Sequence, residues 1–497
     1  MIEEIEANIT EDSVTIHDKF QFEIKWAYKF YKEKKFTTYN IETYFFIPQN
    51  LGINKATYTN RNFYSDLKTY IRFKTPAVLL QNIAEGASCL IENLKTIFEK
   101  VVDQPDKQQF IEYENGIKLF CCELKSSLRE HVMFIEKIEN PADIGFLIDQ
   151  YIESTGKITL EYRGLRRILN VPSINKKQFS KYLFGDEFIS LTIEDYTYNL
   201  LNVLEKAEMN GSGCDYKDRL LEITRKEIEY RKNSNYPSIA KIDEGNEVLV
   251  FRKSILKKFM GSSLFLDIRT ENDGKYLEQL IFGIAAGVSM VFATTIAFLS
   301  QKSYGNLSLP LFVALVVSYM FKDRMKEILR IYLGGKLGGI LYNYKTYLKT
   351  RNHRKVGWCK EHFGFINEPD ISQEILKLRN KDHITEIEND LMGEQVILYK
   401  KQIRLYTGDF NDVGVIGTVD GINDIMRFNI QKFLTKMDNP TKPMFTVFED
   451  TYKKIFVKRV YHLNLIVKYS FENIAVFKRF RIILNRKGIK SIEIVEC

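Results

Sequence analysis

Five short stretches hold residue types that could do chemistry, and each lacks something its chemistry requires. STGKIT (154–159) ends like a phosphate-binding loop, in which backbone N–H groups cradle phosphates and a hydroxyl after the lysine holds magnesium. That loop needs glycine five residues before Gly156, where Tyr151 stands, and Ser or Thr after Lys157, where Ile158 stands. DFNDVGVIGTVD (409–420) sets Asp409, Asn411, Gly414 and Asp420 at calcium-loop offsets. Its fifth position is Val413 and its twelfth is not Glu, so a glycine-containing hairpin turn is expected instead. His353, Cys359 and His362 include a Cys-x2-His half-site for zinc, but no second pair follows at a usual spacing, and His383 could complete it only through the fold. Arg163, Arg166 and Arg167 could meet a phosphate or carboxylate, and they also fit a solvated helix face. His131 falls on an apolar helical stripe and reads as a core-edge histidine. There is no GxSxG and no HExxH. No catalytic residue, cofactor or metal is assigned on these grounds.

The elements that would have to position such residues are clearer than the residues themselves. IFGIAAGVSMVFATTIAFLS (281–300) carries no charge in a chain that is 27% charged, with a mean hydropathy of −0.23. Roughly 20 residues of helix span a ~30 Å hydrocarbon core. A second uncharged run covers 303–321, with Pro310 near the first turn of its helix, where a missing N–H costs little. Only QKSYGN separates the two, so a two-helix transmembrane hairpin over 279–321 is expected. Gly283 and Gly287, with Ala314 and Ser318 opposite, supply the expected packing face. Lys322, Arg324, Lys326 and Arg330 follow the second helix at once, whereas the connecting loop holds only Lys302. The positive-inside rule then puts both termini in the cytoplasm, as in a multi-pass protein of a bacterial inner membrane.

Charge is unevenly placed. The total is +8, yet 322–355 carries a net +8 and 453–490 a net +10, so the remainder is acidic. The first zone suits a juxtamembrane amphipathic helix over 322–355, broken by GGKLGG (334–339). The second includes Lys478, Arg479, Arg481, Arg486 and Lys487, and exceeds what solubility requires. Anionic lipid headgroups, an acidic protein surface or, less naturally, nucleic acid would neutralise it; solvated strand faces are the plainer reading. The N-terminus shows no basic region followed by an apolar run, as a secretory signal would. The six cysteines have no CxxC spacing and read as reduced thiols.

Outside the apolar runs, the expected fold class is α+β. Phe20, Phe22, Ile24, Trp26, Tyr28 and Phe30 alternate with polar residues, and 37–47 follows, giving a β-rich domain over 1–75. Thr75-Pro76 marks a helix start. Leu80, Ile83, Ala87, Leu90, Leu94, Ile97 and Val101 make a heptad seam, so 76–137 reads as an antiparallel helical pair open to a partner or to self-association. A mixed remainder occupies 138–275, with helices near 190–208 and 215–232 and strands at 246–251 and 263–268. From about 356 a separate α+β domain is expected. It would hold a strand at 396–406, a helix from Asn423 to Met437, and an antiparallel meander turning at NRKG (485–488).

This reading makes the chain a membrane-anchored, non-enzymatic scaffold or regulatory protein that presents two cytoplasmic domains to the lipid bilayer. A subunit of an oligomeric channel, or a tethered enzyme whose site is assembled from distant residues, are the alternatives.

Overall fold

The computed structural model describes residues 14–31, 33–75, 78–138, 140–206, 213–241, 245–305, 308–338, 342–350, 353–380, 393–407, 419–449 and 451–495. Pro76 and residues 409–418, and with them the expected helix start and most of the calcium-loop candidate, lie outside these. The chain opens with β1 (Val14–Asp18), β2 (Gln21–Lys29), β3 (Phe36–Pro48), α1 (Asn60–Asp66) and β4 (Leu67–Phe73). Helices follow: α2 (Leu80–Ala84), α3 (Leu90–Asp103), α4 (Lys107–Glu136), α5 (Pro141–Gly164), α6 (Lys176–Lys206), α7 (Gly213–Asn233) and α8 (Glu247–Gly261). Next come β5 (Asp267–Asn272), α9 (Lys275–Tyr304), α10 (Leu309–Gly338), β6 (Tyr344–Lys349), β7 (Lys355–Ile366) and α11 (Gln373–Asn380). The last strands are β8 (Glu394–Tyr406), β9 (Gly421–Asn429), β10 (Thr441–Phe448), β11 (Thr451–Lys458), β12 (Tyr461–Phe471), β13 (Ile474–Asn485) and β14 (Gly488–Val495). The fold is mixed α+β with antiparallel sheets, arranged as two compact units.

The first unit draws on Met1–Ile71, Leu266–Gly408 and Asn423–Cys497. Its larger sheet has eight strands in the order β14-β13-β12-β3-β8-β7-β6-β5, and a smaller one runs β1-β2-β9-β4. Alternation builds both: along the second half of β8 the inward positions Lys401, Ile403 and Leu405 are buried and Lys400, Gln402, Arg404 and Tyr406 between them are not. Aromatic side chains fill the space between the sheets, with Trp26 of β2 against Tyr469 of β12 and Phe45 of β3 against Phe428 of β9. Because β3 pairs with both β8 and β12, the expected domains 1–75 and 356–497 are parts of one sheet system. Residues 423–429 form strand, not helix, since burial alternates through Ile422, Asp424, Met426 and Phe428. The expected basic helix over 322–355 ends at Gly338, and Tyr344–Lys349 is strand, paired on both sides. The NRKG turn joins β13 to β14 as expected. β10 and β11 form a separate two-stranded ribbon that is exposed along almost its whole length and carries Lys453, Lys454 and Lys458.

The second unit is helical and centres on Arg72–Phe265. The seam residues Leu90, Leu94, Phe98 and Val101 of α3 meet Tyr113, Ile117, Phe120 and Leu124 of α4 in one core that α5 and α6 complete. Most of the heptad face of 76–137 is therefore buried within the unit, with Ala87 exposed. Its regular spacing is also interrupted at 85–89, where Gly86 and Cys89 take positive φ. Residues 247–261 are helix, not the strand that VLVF suggested, because Leu256 and Met260 bury one face at a four-residue spacing. Asp106 and Asn140 cap α4 and α5, each accepting a backbone N–H. One residue breaks the pattern: Glu123 on α4 is 1% exposed, and neither carboxylate oxygen has a hydrogen-bond partner among the described residues. Burial pushes its carboxyl up to about 8.

Candidate functional site

Two features of the first unit lie side by side: a helical stem and a charged cavity at its foot. β5 and β6 pair antiparallel from Asp267↔Lys349 to Asn272↔Tyr344, and the whole of α9 and α10 is inserted between them. The chain thus leaves and re-enters the sheet at neighbouring positions. Asn343 clamps the junction. Its N–H donates to the Glu361 carbonyl at 2.7 Å, and its side-chain oxygen accepts from the Phe363 N–H at 2.7 Å and the Tyr64 hydroxyl at 3.4 Å. Asp273 adds an ion pair to Lys360 at 2.7 Å.

α9 and α10 pack along each other. Ile281, Ala285 and Ser289 are the buried positions of α9, and Ser318 of α10 donates its hydroxyl to the Ala293 carbonyl at 3.4 Å. Ala314 lies on the same less-exposed stripe as Ser318. Gly283 and Gly287, expected in the seam, are exposed instead, with open space where a Cβ would stand. The GxxxG spacing is real, but Ala285 and Ser289, two residues on from each glycine, hold the inward side. The remaining surface is apolar: Ile284, Val288, Val291, Phe298, Phe312, Val313, Val317 and Met320 are all exposed. The hydroxyls of Ser289, Thr294 and Thr295 donate to carbonyls of their own helix at 2.7, 2.9 and 2.8 Å, which satisfies these donors without water. Gln279–Tyr304 is long and apolar enough to cross a membrane, and it is the one such helix among the described residues. Lys322, Arg324, Lys326 and Arg330 lie further along α10; the Arg330 guanidinium sits 4.1 Å from the Phe282 ring centroid.

Beside the stem, β4 to β8 enclose a cavity of about 280 Å³ whose lining includes Tyr64, Thr270, Thr346, Cys359, Glu361 and Lys401. Lys401 is fully buried, with its ammonium 2.5 Å from Asp424 Oδ2 and 3.5 Å from Glu361 Oε1. The Tyr399 hydroxyl donates to Glu361 at 2.5 Å and the Tyr28 hydroxyl to Asp424 at 3.3 Å. Burial alone would push Lys401 down; Asp424 and then Glu361 outweigh it and hold the ammonium above its ordinary value. Burial also raises the Cys359 thiol well above its usual range. At neutral pH this cluster offers a protonated lysine and a neutral thiol, so it donates hydrogen bonds and lacks an activated nucleophile. None of Lys401, Glu361 and Asp424 stands out in a motif; the signal is a lysine at an inward position of an alternating strand.

The other residues singled out by sequence are dispersed. Lys157 lies mid-helix in α5 and pairs with Glu153 at 2.6 Å. Arg163 is paired with Asp186 at 3.3 Å and with Glu227 at 2.7 Å. His131 packs at the core edge, its Nε2 2.9 Å from the Leu147 carbonyl. Cys359 and His362 are three apart on β7, so they point to opposite faces and cannot chelate together. No metal-binding group of His, Cys, Asp and Glu occurs among the described residues. In the C-terminal basic zone Arg486 and Lys487 are exposed and Lys478 is half-buried. Arg479 is not a surface contact: it is buried, donating to the Leu378 carbonyl at 2.9 Å and to Asn464 at 3.3 Å. Arg481 is largely covered and faces Glu493 at 3.6 Å. Alternation along β13 turns Phe480, Ile482 and Leu484 to the space between the sheets and Arg479 to the opposite face, where α11 covers it.

No protein-family model matches this chain, and no curated protein does. Among solved structures, a de novo designed 16-helix transmembrane nanopore matches at 10% identity and a TM-score of 0.18, over 52% of this chain and 94% of that one. At that score the likeness carries no argument about fold or function.

Proposed function

We propose that this chain is a membrane-anchored, non-enzymatic scaffold or regulatory protein, held at the inner membrane by α9 and α10 as a two-helix transmembrane hairpin. The observation that carries the reading is the outward apolar surface of both helices, joined to a stem whose two ends pair directly. Asn272 lies opposite Tyr344, so a chain that crosses the bilayer in α9 must cross back in α10. The apolar part of α10, Leu309–Phe321, is about 20 Å long at 1.5 Å per residue, short enough to thin the bilayer locally. Lys322, Arg324, Lys326 and Arg330 then meet the cytoplasmic headgroup layer and place both termini in the cytoplasm. The protonation states around Lys401 and Cys359 support binding over catalysis.

Alkaline carbonate treatment of membranes containing the full chain tests the anchor. The protein is expected to stay in the pellet, with protease added outside unable to reach either soluble unit. Release into the supernatant would overturn the anchor. The mass in mild detergent tests the scaffold: a monomer or dimer is expected, whereas a ring of four or more protomers would replace this reading with an oligomeric channel.

A further inference from the structure

The helical unit has its own cavity, about 420 Å³, between α4, α6 and α8. Its wall includes Lys125 of α4, Asp195 and Asn199 of α6, and Lys253, Ser254 and Lys257 of α8. Lys253 is committed to Asp195 at 2.7 Å. Lys125 and Lys257 have no carboxylate within ion-pair distance among the described residues, so the wall keeps an uncompensated net +2. Burial, and next the like charge of Lys257, push the Lys125 ammonium below its ordinary value, with Arg72 adding to the repulsion. The fold holds these cations together, and Asp195, the acid in the wall, is already paired with Lys253 and offsets the charge on Lys125 only in part. The Ser254 hydroxyl and Asn199 amide add neutral donors, and Phe188, 5.9 Å from the Lys125 ammonium, makes part of the wall apolar.

A second observation narrows the ligand. On α8, Val248, Phe251 and Ile255 are exposed by 72%, 65% and 42%, and their spacing of three and four aligns them in one stripe. The stripe lies next to Ser254 around the helix. A soluble phosphate would need the lysines and not the stripe. An amphiphile needs both, with its charged group among the lysines and its hydrocarbon along the stripe.

From this pairing of an uncompensated cationic cavity with an exposed apolar stripe, we propose that α4, α6 and α8 form a binding site for an anionic glycerophospholipid. The proposal rests on the chain being held at a membrane and adds the lipid class it selects there. Native mass spectrometry of the full chain in mild detergent, supplied with phosphatidylglycerol and phosphatidylcholine of identical acyl chains, tests it. Phosphatidylglycerol should be retained ~10-fold or more over phosphatidylcholine. K125Q/K257Q should bring that ratio near one, K125R/K257R should keep it, and R330Q, on α10, should leave it unchanged. F251S/I255S, at exposed positions, should weaken retention without altering the melting curve. Equal retention of the two lipids, or a preference that survives K125Q/K257Q in a folded protein, overturns the site. Displacement of the lipid by millimolar glycerol phosphate or inorganic phosphate also overturns it and assigns the cavity to a soluble phosphate. Each variant is also extracted with carbonate. A wild type that shows no lipid preference yet stays in the membrane sinks this site alone, whereas release of the wild type sinks the anchor.

Discussion

Lys401 sits between two carboxylates that the apolar interior would otherwise exclude. Replacing it with methionine keeps much of the volume and leaves Asp424 and Glu361 facing each other without a cation. Breaking a buried pair from one side costs about 3–5 kcal/mol, so Lys401→Met should lower the melting temperature sharply at pH 7. The loss should shrink at pH 5, where Asp424, which burial already pushes up, can take up a proton; an equal loss at both would point to packing instead. Glu123 makes the opposite case. Its folded-state carboxyl titrates near 8 against an ordinary value of 4.5, so the folded chain holds a proton the unfolded chain has lost. Stability contributed by this group is complete below about 4.5 and declines as pH rises towards 8. Glu123→Met should therefore stabilise the protein by on the order of 2–4 kcal/mol at pH 8 and by less at pH 5, read by thermal melts at the two values. A gain that does not depend on pH would show that the carboxyl is ionised in the folded chain as it is in the unfolded one. The sequence hid these residues unequally. Lys401 was legible to anyone who pressed the period-two pattern of 396–406 through its lysines, since inward positions are fixed by alternation. Glu123 was not, because a single acid beside a heptad seam looks the same whether it faces water or the core.

At the scale of elements, the helical pair separates what composition fixes from what it leaves open. The length and apolarity of 281–300 specify a helix, and the short connection to 309 specifies an antiparallel neighbour. Which side of α9 faces α10 depends on the phase of both helices, and glycine spacing alone does not set it. The seam runs through Ala285, buried to 1% exposure, while Gly283 has nothing near its missing Cβ. Ala285→Leu should overpack the pair and cost about 1–3 kcal/mol, and Gly283→Leu should be tolerated or slightly favourable through helix propensity. Melting of the two variants in detergent compares them directly, and the reverse order would place the glycines in the seam after all. The misread segments share one cause. VLVF at 248–251 and the run from Asn423 to Met437 are short windows in which both periods fit, and tertiary burial decided between them. Local pattern carries no information about which distant partner will cover a face.

For the whole molecule, the α+β class and an apolar pair flanked by basic residues follow from composition and periodicity. The division into domains does not, because strand pairing across hundreds of residues leaves no local trace. β3 was visible as a strand; its place between β8 and β12 was not. A fragment of 356–497 expressed alone therefore lacks the strand that its own β8 and β12 both bond. It should be insoluble or give no cooperative melt, and a well-folded, monomeric 356–497 would contradict the shared sheet. The position of β3 also constrains the chain in time. A ribosome delivers this strand early, and its two bonding partners emerge about 350 and about 420 residues later, which at ~5–20 residues per second is roughly 20 to 80 s. For that interval a hydrophobic strand has both edges bare, while the apolar pair between β5 and β6 is already being made. If the pair inserts as proposed, insertion would precede closure of the sheet, and β3 would wait beside the bilayer for β8 and β12.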